Sequence, residues 1–210
     1  MTRISKMCRQ LQPGIIIVDR WVPGPFENYH TPEQQIPDTP LPYPWETCMT
    51  MAGSWSYVPN DTYKSTNTII HNLIDIVSKG GNYLLNIGPG PDGEWHDEAY
   101  VRLKEIGEWM KLNGEAIYNT RPIEPYKENN ICFTQSKDGK TIYLHYLLKE
   151  NESIPPVISF KGPAFNNKPI ITLLTTNKKL NWKKENGLTK ISLPKDVLAK
   201  HAVVVKIVLQ

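Results

Sequence analysis

Two glutamates in one proline-rich loop are the residues of this chain best suited to acid–base chemistry. Glu33 follows Pro32, and Glu27 is flanked by Phe26 and Tyr29. Prolines and aromatic side chains can desolvate a loop carboxyl, which favours the protonated form that a general acid needs. For each residue, an ordinary solvated loop glutamate is the alternative. The local sequence does not distinguish Glu33 from Glu27 as the candidate acid.

Cationic and aromatic side chains near this loop suit the binding of a sugar. Arg20 directly follows a predicted strand, where a guanidinium can bind hydroxyl or carboxylate groups through two parallel bonds. An intrachain pair with Asp19 or with a neighbouring strand is the alternative. Trp21, Trp45 and Trp55 can stack on the apolar face of a sugar, although core packing is the commoner role of a single tryptophan. Together these residue types favour a carbohydrate site.

The other motifs do not indicate a phosphate or metal site. Residues 88–93 lack the Lys-Ser/Thr pair of a P-loop, and their prolines lack the N–H groups that bind an anion. His71 lies on a predicted helix, and His96, His145 and His201 do not have the spacing of metal ligands. The 3 cysteines are far apart, which excludes a dense disulfide framework and a CxxC pair.

The first 120 residues show the pattern of β/α units. Residues 15–18 are a continuous apolar run, typical of a strand buried on both faces, and residues 82–87 form a second such strand. A shorter strand candidate, residues 45–51, follows the long loop of residues 22–44. Strands that alternate with helices predict a parallel sheet or barrel, whose active site lies at the carboxyl ends of the strands.

Two amphipathic helices separate or follow these strands. Residues 66–78 carry apolar side chains at helical spacing, and Lys79-Gly80-Gly81 provides a typical helix end. Residues 97–113 form the second helix. Its side chains predicted to face inward are Val101, Leu103, Ile106, Trp109, Met110 and Leu112.

The pattern changes after Arg121-Pro122. Short apolar or β-branched runs, separated by turn residues, recur to the end of the chain. These runs are residues 131–134, 141–148, 157–160, 170–174, 190–193 and 202–209. They predict an antiparallel β-sandwich over residues 121–210, after a β/α region over residues 1–120.

The composition limits the classes of function. Hydrophobic residues make up 40 % of the chain, which is enough for packed cores. The formal net charge of +3 is too small to predict binding to nucleic acid or to an anionic membrane. No apolar run has the length needed to span a bilayer. An amphipathic helix end that runs directly into a strand leads us to expect that the native sequence continues upstream.

Several motifs resemble the retaining α-L-fucosidases of glycoside hydrolase family 29. They are Asp19-Arg20-Trp21, Thr31-Pro32-Glu33, Pro44-Trp45-Glu46 and the longer, more specific stretch of residues 77–89. The resemblance covers residues 10 to 122 well, whereas the sandwich fits by position and class. It implies the C-terminal part of a (β/α)8-type barrel followed by a small antiparallel β-sandwich domain.

The resemblance also implies roles for individual residues. In this family an aspartate attacks the anomeric carbon, and a glutamate acts first as acid and then as base. The acid/base position falls on Glu33, the fucose-binding arginine on Arg20, and the aromatic residue against the fucose methyl group on Trp55. Trp21 is a further candidate for substrate binding. No metal or organic cofactor is implied.

The nucleophile is the main departure from the family pattern. The family carries it in a Trp-x-Asp motif on the preceding strand, and nothing upstream of Gln12 matches that motif. We therefore expect a fragment of a fucosidase that acts on fucosylated glycans. The sequence leaves the compartment open, and the resemblance implies a secreted, periplasmic or lysosome-like parent enzyme. The isolated fragment should be inactive, and it should associate through its open sheet edges. A non-catalytic carbohydrate-binding or structural remnant is the alternative, and a different barrel glycosidase is a third interpretation.

Overall fold

The computed structural model describes residues 2–20, 24–165 and 168–209. Within these ranges it contains helices α1 (Thr2–Leu11), α2 (Thr66–Ser78) and α3 (Asp97–Asn113), the last followed by a 3-10 turn at Gly114–Ala116. The strands are β1 (Glu46–Thr50), β2 (Asn82–Asn86), β3 (Thr120–Glu128), β4 (Ile131–Ser136), β5 (Thr141–Leu147), β6 (Val157–Phe160), β7 (Ile170–Leu173), β8 (Trp182–Glu185), β9 (Leu188–Ser192) and β10 (Ala202–Val208). None of the helices described here is both long and apolar enough to cross a membrane.

The N-terminal half is built from parallel extended segments. β1 and β2 pair in parallel from Glu46 opposite Asn82 onward, and α2 connects them. Single parallel bridges extend the arrangement: Val18 with Tyr29, His30 with Trp45, and Glu33 with Cys48. The predicted β/α alternation is therefore present, and the carboxyl ends of these segments lie at one edge.

Two segments predicted to be buried on both faces are more open than expected. Residues 15–18 are joined to the rest by the bridge at Val18, and Ile16 is 69 % exposed. β2 exposes Leu84 by 52 %. A parallel strand is buried on both faces only where helices and neighbouring strands cover it. In the described part of the chain, β1 is the one strand that pairs with β2.

α3 has the predicted bounds but buries only part of its predicted inner face. Trp109 is buried, and Ile106 and Met110 pack against the core. Val101, Leu103 and Leu112 remain exposed, contrary to the prediction. The buried face of α3 is therefore narrower than the apolar face predicted from its sequence, because the described residues pack against only one side of the helix.

The C-terminal half is the predicted antiparallel β-sandwich. One sheet has the strand order β3-β4-β5-β10-β7, and the other has the order β6-β9-β8. Their facing sides share one core, which includes Phe133, Ile142, Phe160, Ile191 and Val205. The six predicted strands are all present, and the two strands not predicted, β3 and β8, both lie at a sheet edge.

Helices α2 and α3 cover the outer side of the five-stranded sheet. Ile70, Ile74 and Trp109 pack with Tyr143 and Val204 in a second cluster. Side chains of alternating strand positions point to opposite faces, so this sheet is buried between the helices and the second sheet. The β/α region and the sandwich therefore share an apolar interface.

Candidate active site

Backbone pairing fixes Glu33 beside the carboxyl half of β1. Glu33 forms its bridge with Cys48, and the Gln34 N–H donates to the Cys48 carbonyl at 2.9 Å. Gln34 then turns with a φ of 56°, and its side-chain amide donates to Thr50 Oγ1 at 3.2 Å. These contacts place the Glu33 side chain at the edge where active sites of β/α proteins lie.

Arg20 and Glu33 meet at this edge. Arg20 Nη1 lies 3.2 Å from Glu33 Oε2, with 44 % and 35 % of the two side chains exposed. The same nitrogen donates to the Cys48 sulfur at 3.5 Å. The hydrogen bond to Cys48, followed by the charges of Glu33 and Asp19, raises the pKa of Arg20. The structure thus brings together two predicted site residues as a charged, accessible pair, and Glu33 is less desolvated than its loop sequence indicated.

Asp19 binds the loop segment that precedes Glu33. Its Oδ1 accepts from the Thr31 N–H at 2.9 Å and from Thr31 Oγ1 at 2.7 Å. Its Oδ2 lies 3.2 Å from His30 Nδ1. The guanidinium of Arg20 therefore pairs with Glu33, whereas the carboxylate of Asp19 is engaged by the loop.

Glu27, the rival glutamate, is held inside the loop. Its side chain is only 8 % exposed. It accepts from the backbone N–H groups of Gly24 at 2.8 Å and Phe26 at 3.1 Å. These backbone bonds, with that of Gly24 the strongest, lower the pKa of Glu27. A carboxyl held in its ionised form suits a structural role better than proton donation.

The tryptophans take different positions. Trp45 is 1 % exposed, donates from Nε1 to the Lys79 carbonyl at 3.3 Å and packs closely on Gly81, so it is a core residue. Trp55 is 40 % exposed on the loop that follows β1. Trp21 lies outside the described residues, so its predicted role as a substrate-binding residue stays a prediction.

The loop that carries Trp55 is attached to the ends of both parallel strands. Lys64 Nζ donates to the carbonyls of Thr50 and Ala52, at the end of β1. Gly88, beyond β2, approaches the backbone of residues 56 and 57 so closely that a Cβ would lie 2.6 Å away. Trp55 is thereby held at the same sheet edge as Glu33. Lys64 belongs to no recognisable sequence motif, because only its position relative to β1 reveals its role.

Comparisons with known proteins agree with the motifs at this edge. Residues 1–115 match the family model for α-L-fucosidase. The tissue α-L-fucosidase of Mus musculus is 32 % identical over 192 residues, which are 86 % of this chain and 41 % of that protein. The chain belongs to the α-L-fucosidase family. Its relatives are glycoside hydrolases. The chain spans less than half the length of the Mus musculus protein.

Solved α-L-fucosidase structures resemble the whole of this family member. Isoenzyme 1 of Paenibacillus thiaminolyticus superposes with a TM-score of 0.84 at 27 % identity, over 100 % of this chain and 53 % of that one. The Thermotoga maritima α-fucosidase in complex with fucose gives a TM-score of 0.79 at 27 % identity, over 95 % and 46 %. The likeness to α-L-fucosidases therefore extends beyond residue 115 into the β-sandwich.

Proposed function

We propose that this chain supplies the acid/base half of a retaining α-L-fucosidase that removes terminal α-L-fucose from glycans. The contact between Arg20 and Glu33, 3.2 Å apart at the carboxyl edge of β1, carries the proposal. In this view residues 1–120 are the C-terminal part of a (β/α)8-type barrel and residues 121–210 are the β-sandwich domain. The short connection between Ala116 and Thr120 supports that division.

Glu33 is assigned both proton transfers. As an acid it protonates the glycosidic oxygen while the fucosyl group passes to a carboxylate nucleophile, and as a base it then activates the water that releases fucose. Its open position next to Arg20 gives a substrate access to the carboxyl. The buried, backbone-bound position of Glu27 supports the choice of Glu33.

Arg20, Trp55 and Trp21 are assigned to substrate binding. The guanidinium of Arg20 presents several N–H donors that suit sugar hydroxyls. The exposed indole of Trp55 suits contact with the fucose methyl group. Fucosylated glycans are the proposed partner of this surface, and their leaving sugar would contact the proline-rich loop.

The aspartate nucleophile is proposed to come from a segment that is not among these 210 residues. Residues 1–18, which precede the strand end at Asp19, contain no aspartate and hence no Trp-x-Asp motif. Asp19 is a poor substitute because its Oδ1 accepts two bonds from Thr31 and its Oδ2 lies 3.2 Å from His30 Nδ1. We therefore expect no turnover of an activated aryl α-L-fucoside by the 210-residue chain alone. Measurable turnover would mean that a carboxylate of this chain acts as the nucleophile.

The decisive assay uses the protein expressed from the complete reading frame that contains these residues. It should hydrolyse aryl α-L-fucosides, and proton NMR of the first product should show α-fucose, the retained anomer. Glu33→Ala should lower kcat/KM for a natural fucoside by about 10²–10⁴-fold and spare a substrate with an activated leaving group. Glu27→Ala, the matched control, should change both substrates alike.

Two results would overturn the proposal. Absence of turnover together with retained fucose binding would favour a non-catalytic carbohydrate-binding protein. If only Glu27→Ala lowers kcat/KM for the natural fucoside while sparing the substrate with an activated leaving group, the acid/base role belongs to Glu27.

A further inference from the structure

A carboxylate–histidine–carboxylate array lies behind the Arg20–Glu33 pair. His30 Nδ1 is 3.2 Å from Asp19 Oδ2, and His30 Nε2 is 3.8 Å from Glu27 Oε1. The imidazole also stacks on Tyr43 with ring centroids 3.7 Å apart. The stacking on Tyr43 and the 3.2 Å approach to Asp19 restrict rotation of the ring, whereas Glu27 lies beyond hydrogen-bond distance.

The backbone of His30 is fixed as firmly as its ring. Its N–H donates to the Pro44 carbonyl at 3.0 Å, and its carbonyl accepts from the Glu46 N–H at 2.9 Å. These bonds attach the loop to the start of β1. The side-chain contact to Asp19 attaches the same residue to the segment that carries Arg20.

Asp19 and His30 thus connect the two halves of the candidate site. Asp19 immediately precedes Arg20, and through Oδ1 it binds Thr31, two positions before Glu33. The distance between the guanidinium and the Glu33 carboxyl depends on how these two segments are aligned. No hydrogen bond joins Asp19 or His30 to Arg20 or Glu33 among the described contacts, so an effect on the Glu33 carboxyl acts through position, whereas the charge of Asp19 also raises the pKa of Arg20.

We propose that Asp19 and His30 are positioning residues for the acid step of the proposed fucosidase. They align the segment of Arg20 with the segment of Glu33, so that the Glu33 carboxyl faces the glycosidic oxygen. This inference rests on the proposed function, and it assigns residues that touch neither the substrate nor the reacting atoms. Small displacements of a catalytic group can cost about a hundredfold in rate.

The test compares His30→Phe with His30→Asn in the protein from the complete reading frame. Phenylalanine keeps the stacking on Tyr43 but removes both nitrogen contacts. Asparagine offers an amide N–H close to the position of Nδ1 and can restore the polar contact with Asp19. We expect His30→Phe to lower kcat/KM for a natural fucoside about ten- to hundredfold while sparing an activated aryl fucoside, and His30→Asn to recover most of the loss.

Measuring Glu33→Ala beside the His30 variants distinguishes failure of the positioning role from failure of the proposed function. If Glu33→Ala shows the leaving-group dependence but His30→Phe lowers both substrates equally, or His30→Asn restores nothing, then the positioning role is wrong and the acid/base assignment stands. If Glu33→Ala shows no such dependence, the proposed function fails, and the positioning role that rests on it fails as well.

A second variant covers a loss of folding in His30→Phe. Asp19→Ala removes the acceptor of the two Thr31 bonds and the partner of His30 Nδ1, whichever tautomer the imidazole adopts. It should reproduce the selective loss on the natural fucoside. An Asp19→Ala protein with wild-type kcat/KM on both substrates would contradict the proposal.

Discussion

Arg20 and Glu33 contact each other while both remain partly open to solvent. A guanidinium in this position has donors left for a ligand after one nitrogen has bound the carboxylate and the Cys48 sulfur. In the proposed function, the pair combines substrate binding by Arg20 with proton transfer by Glu33.

Replacing Arg20 by lysine should weaken the proposed activity although the charge is kept. A lysine ammonium cannot reproduce the planar arrangement of donors, and hydrogen bonds to charged groups contribute about 1.5–3 kcal/mol each. We expect kcat/KM for an aryl α-L-fucoside to fall about ten- to hundredfold in the protein from the complete reading frame. Arg121→Lys is the control, since Arg121 is exposed and bonds only to the adjacent Thr120 carbonyl among the described contacts. Equal effects of the two variants would remove Arg20 from the site.

The local sequence could nominate Glu27 and Glu33 but could not rank them, and only the family resemblance favoured Glu33. Glu27 and Glu33 share the same kind of proline-rich, aromatic loop. They differ because Gly24 and Phe26 direct N–H groups at Glu27, whereas Glu33 is placed by its bridge to Cys48. Both facts depend on the path of the loop in three dimensions. The role of Asp19 toward Thr31 was hidden for the same reason.

At the scale of elements, local signals decide which predictions succeeded. α2 has the predicted bounds because Ser65 accepts from the Thr68 N–H at its start, and Gly80 takes a φ of 79° after its end.

β3 was not predicted because Pro122 and Pro125 interrupt its pattern. Its register shifts between Pro122 and Lys127, and it lies at the sheet edge, where prolines are tolerated.

β5 carries a buried histidine whose protonation opposes folding. His145 Nε2 lies 3.2 Å from Thr134 Oγ1, which donates its proton to the Ala116 carbonyl at 2.9 Å. The imidazole must therefore donate from Nε2, and its buried Nδ1 has no hydrogen-bond partner among the described residues. Burial lowers the pKa of His145 from 6.5 to about 3.

This depressed pKa predicts a loss of stability in acid. Below pH 6.5 the unfolded chain binds a proton at His145 that the folded chain rejects until about pH 3. Over that window the residue should reduce the free energy of unfolding by up to about 1.4 kcal/mol per pH unit. Urea unfolding of the wild type and of His145→Gln at pH 7, 6 and 5 measures the difference, which should shift in favour of the variant as the pH falls. A difference independent of pH would contradict the assignment.

At the scale of the whole molecule, the β-sandwich is covered on its apolar faces, whereas the parallel sheet exposes apolar side chains. The five-stranded sheet is covered on both sides by α2 and α3 and by the second sheet. In contrast, Ile16 and Leu84 expose large apolar surfaces on the parallel segments, as do residues of α1 such as Met7 and Leu11. The sequence predicted residues 15–18 and 82–87 as apolar strands and the N-terminal residues as the end of an amphipathic helix. Burial of their apolar side chains depends on neighbours that the described residues do not provide.

The open sheet predicts that the 210-residue chain associates in solution. Unpaired strand edges and exposed apolar side chains favour pairing with a second molecule. Light scattering after size-exclusion chromatography should show a mass above 24.0 kDa that rises with concentration. Leu84→Lys should reduce the association, whereas Leu198→Lys should not, because Leu198 follows β9 and is not part of the parallel sheet. A monodisperse monomer that melts cooperatively would argue against this interpretation.

Rescue of Glu33→Ala by azide tests the central claim most directly. In the protein from the complete reading frame, azide can enter the space of the missing carboxyl and attack the fucosyl-enzyme in place of the activated water. We predict that added azide accelerates turnover of an activated aryl α-L-fucoside by Glu33→Ala and that the product is α-L-fucosyl azide. Glu27→Ala should form no azide adduct. An azide product from Glu27→Ala with none from Glu33→Ala, or a β-configured azide from Glu33→Ala, would contradict the account.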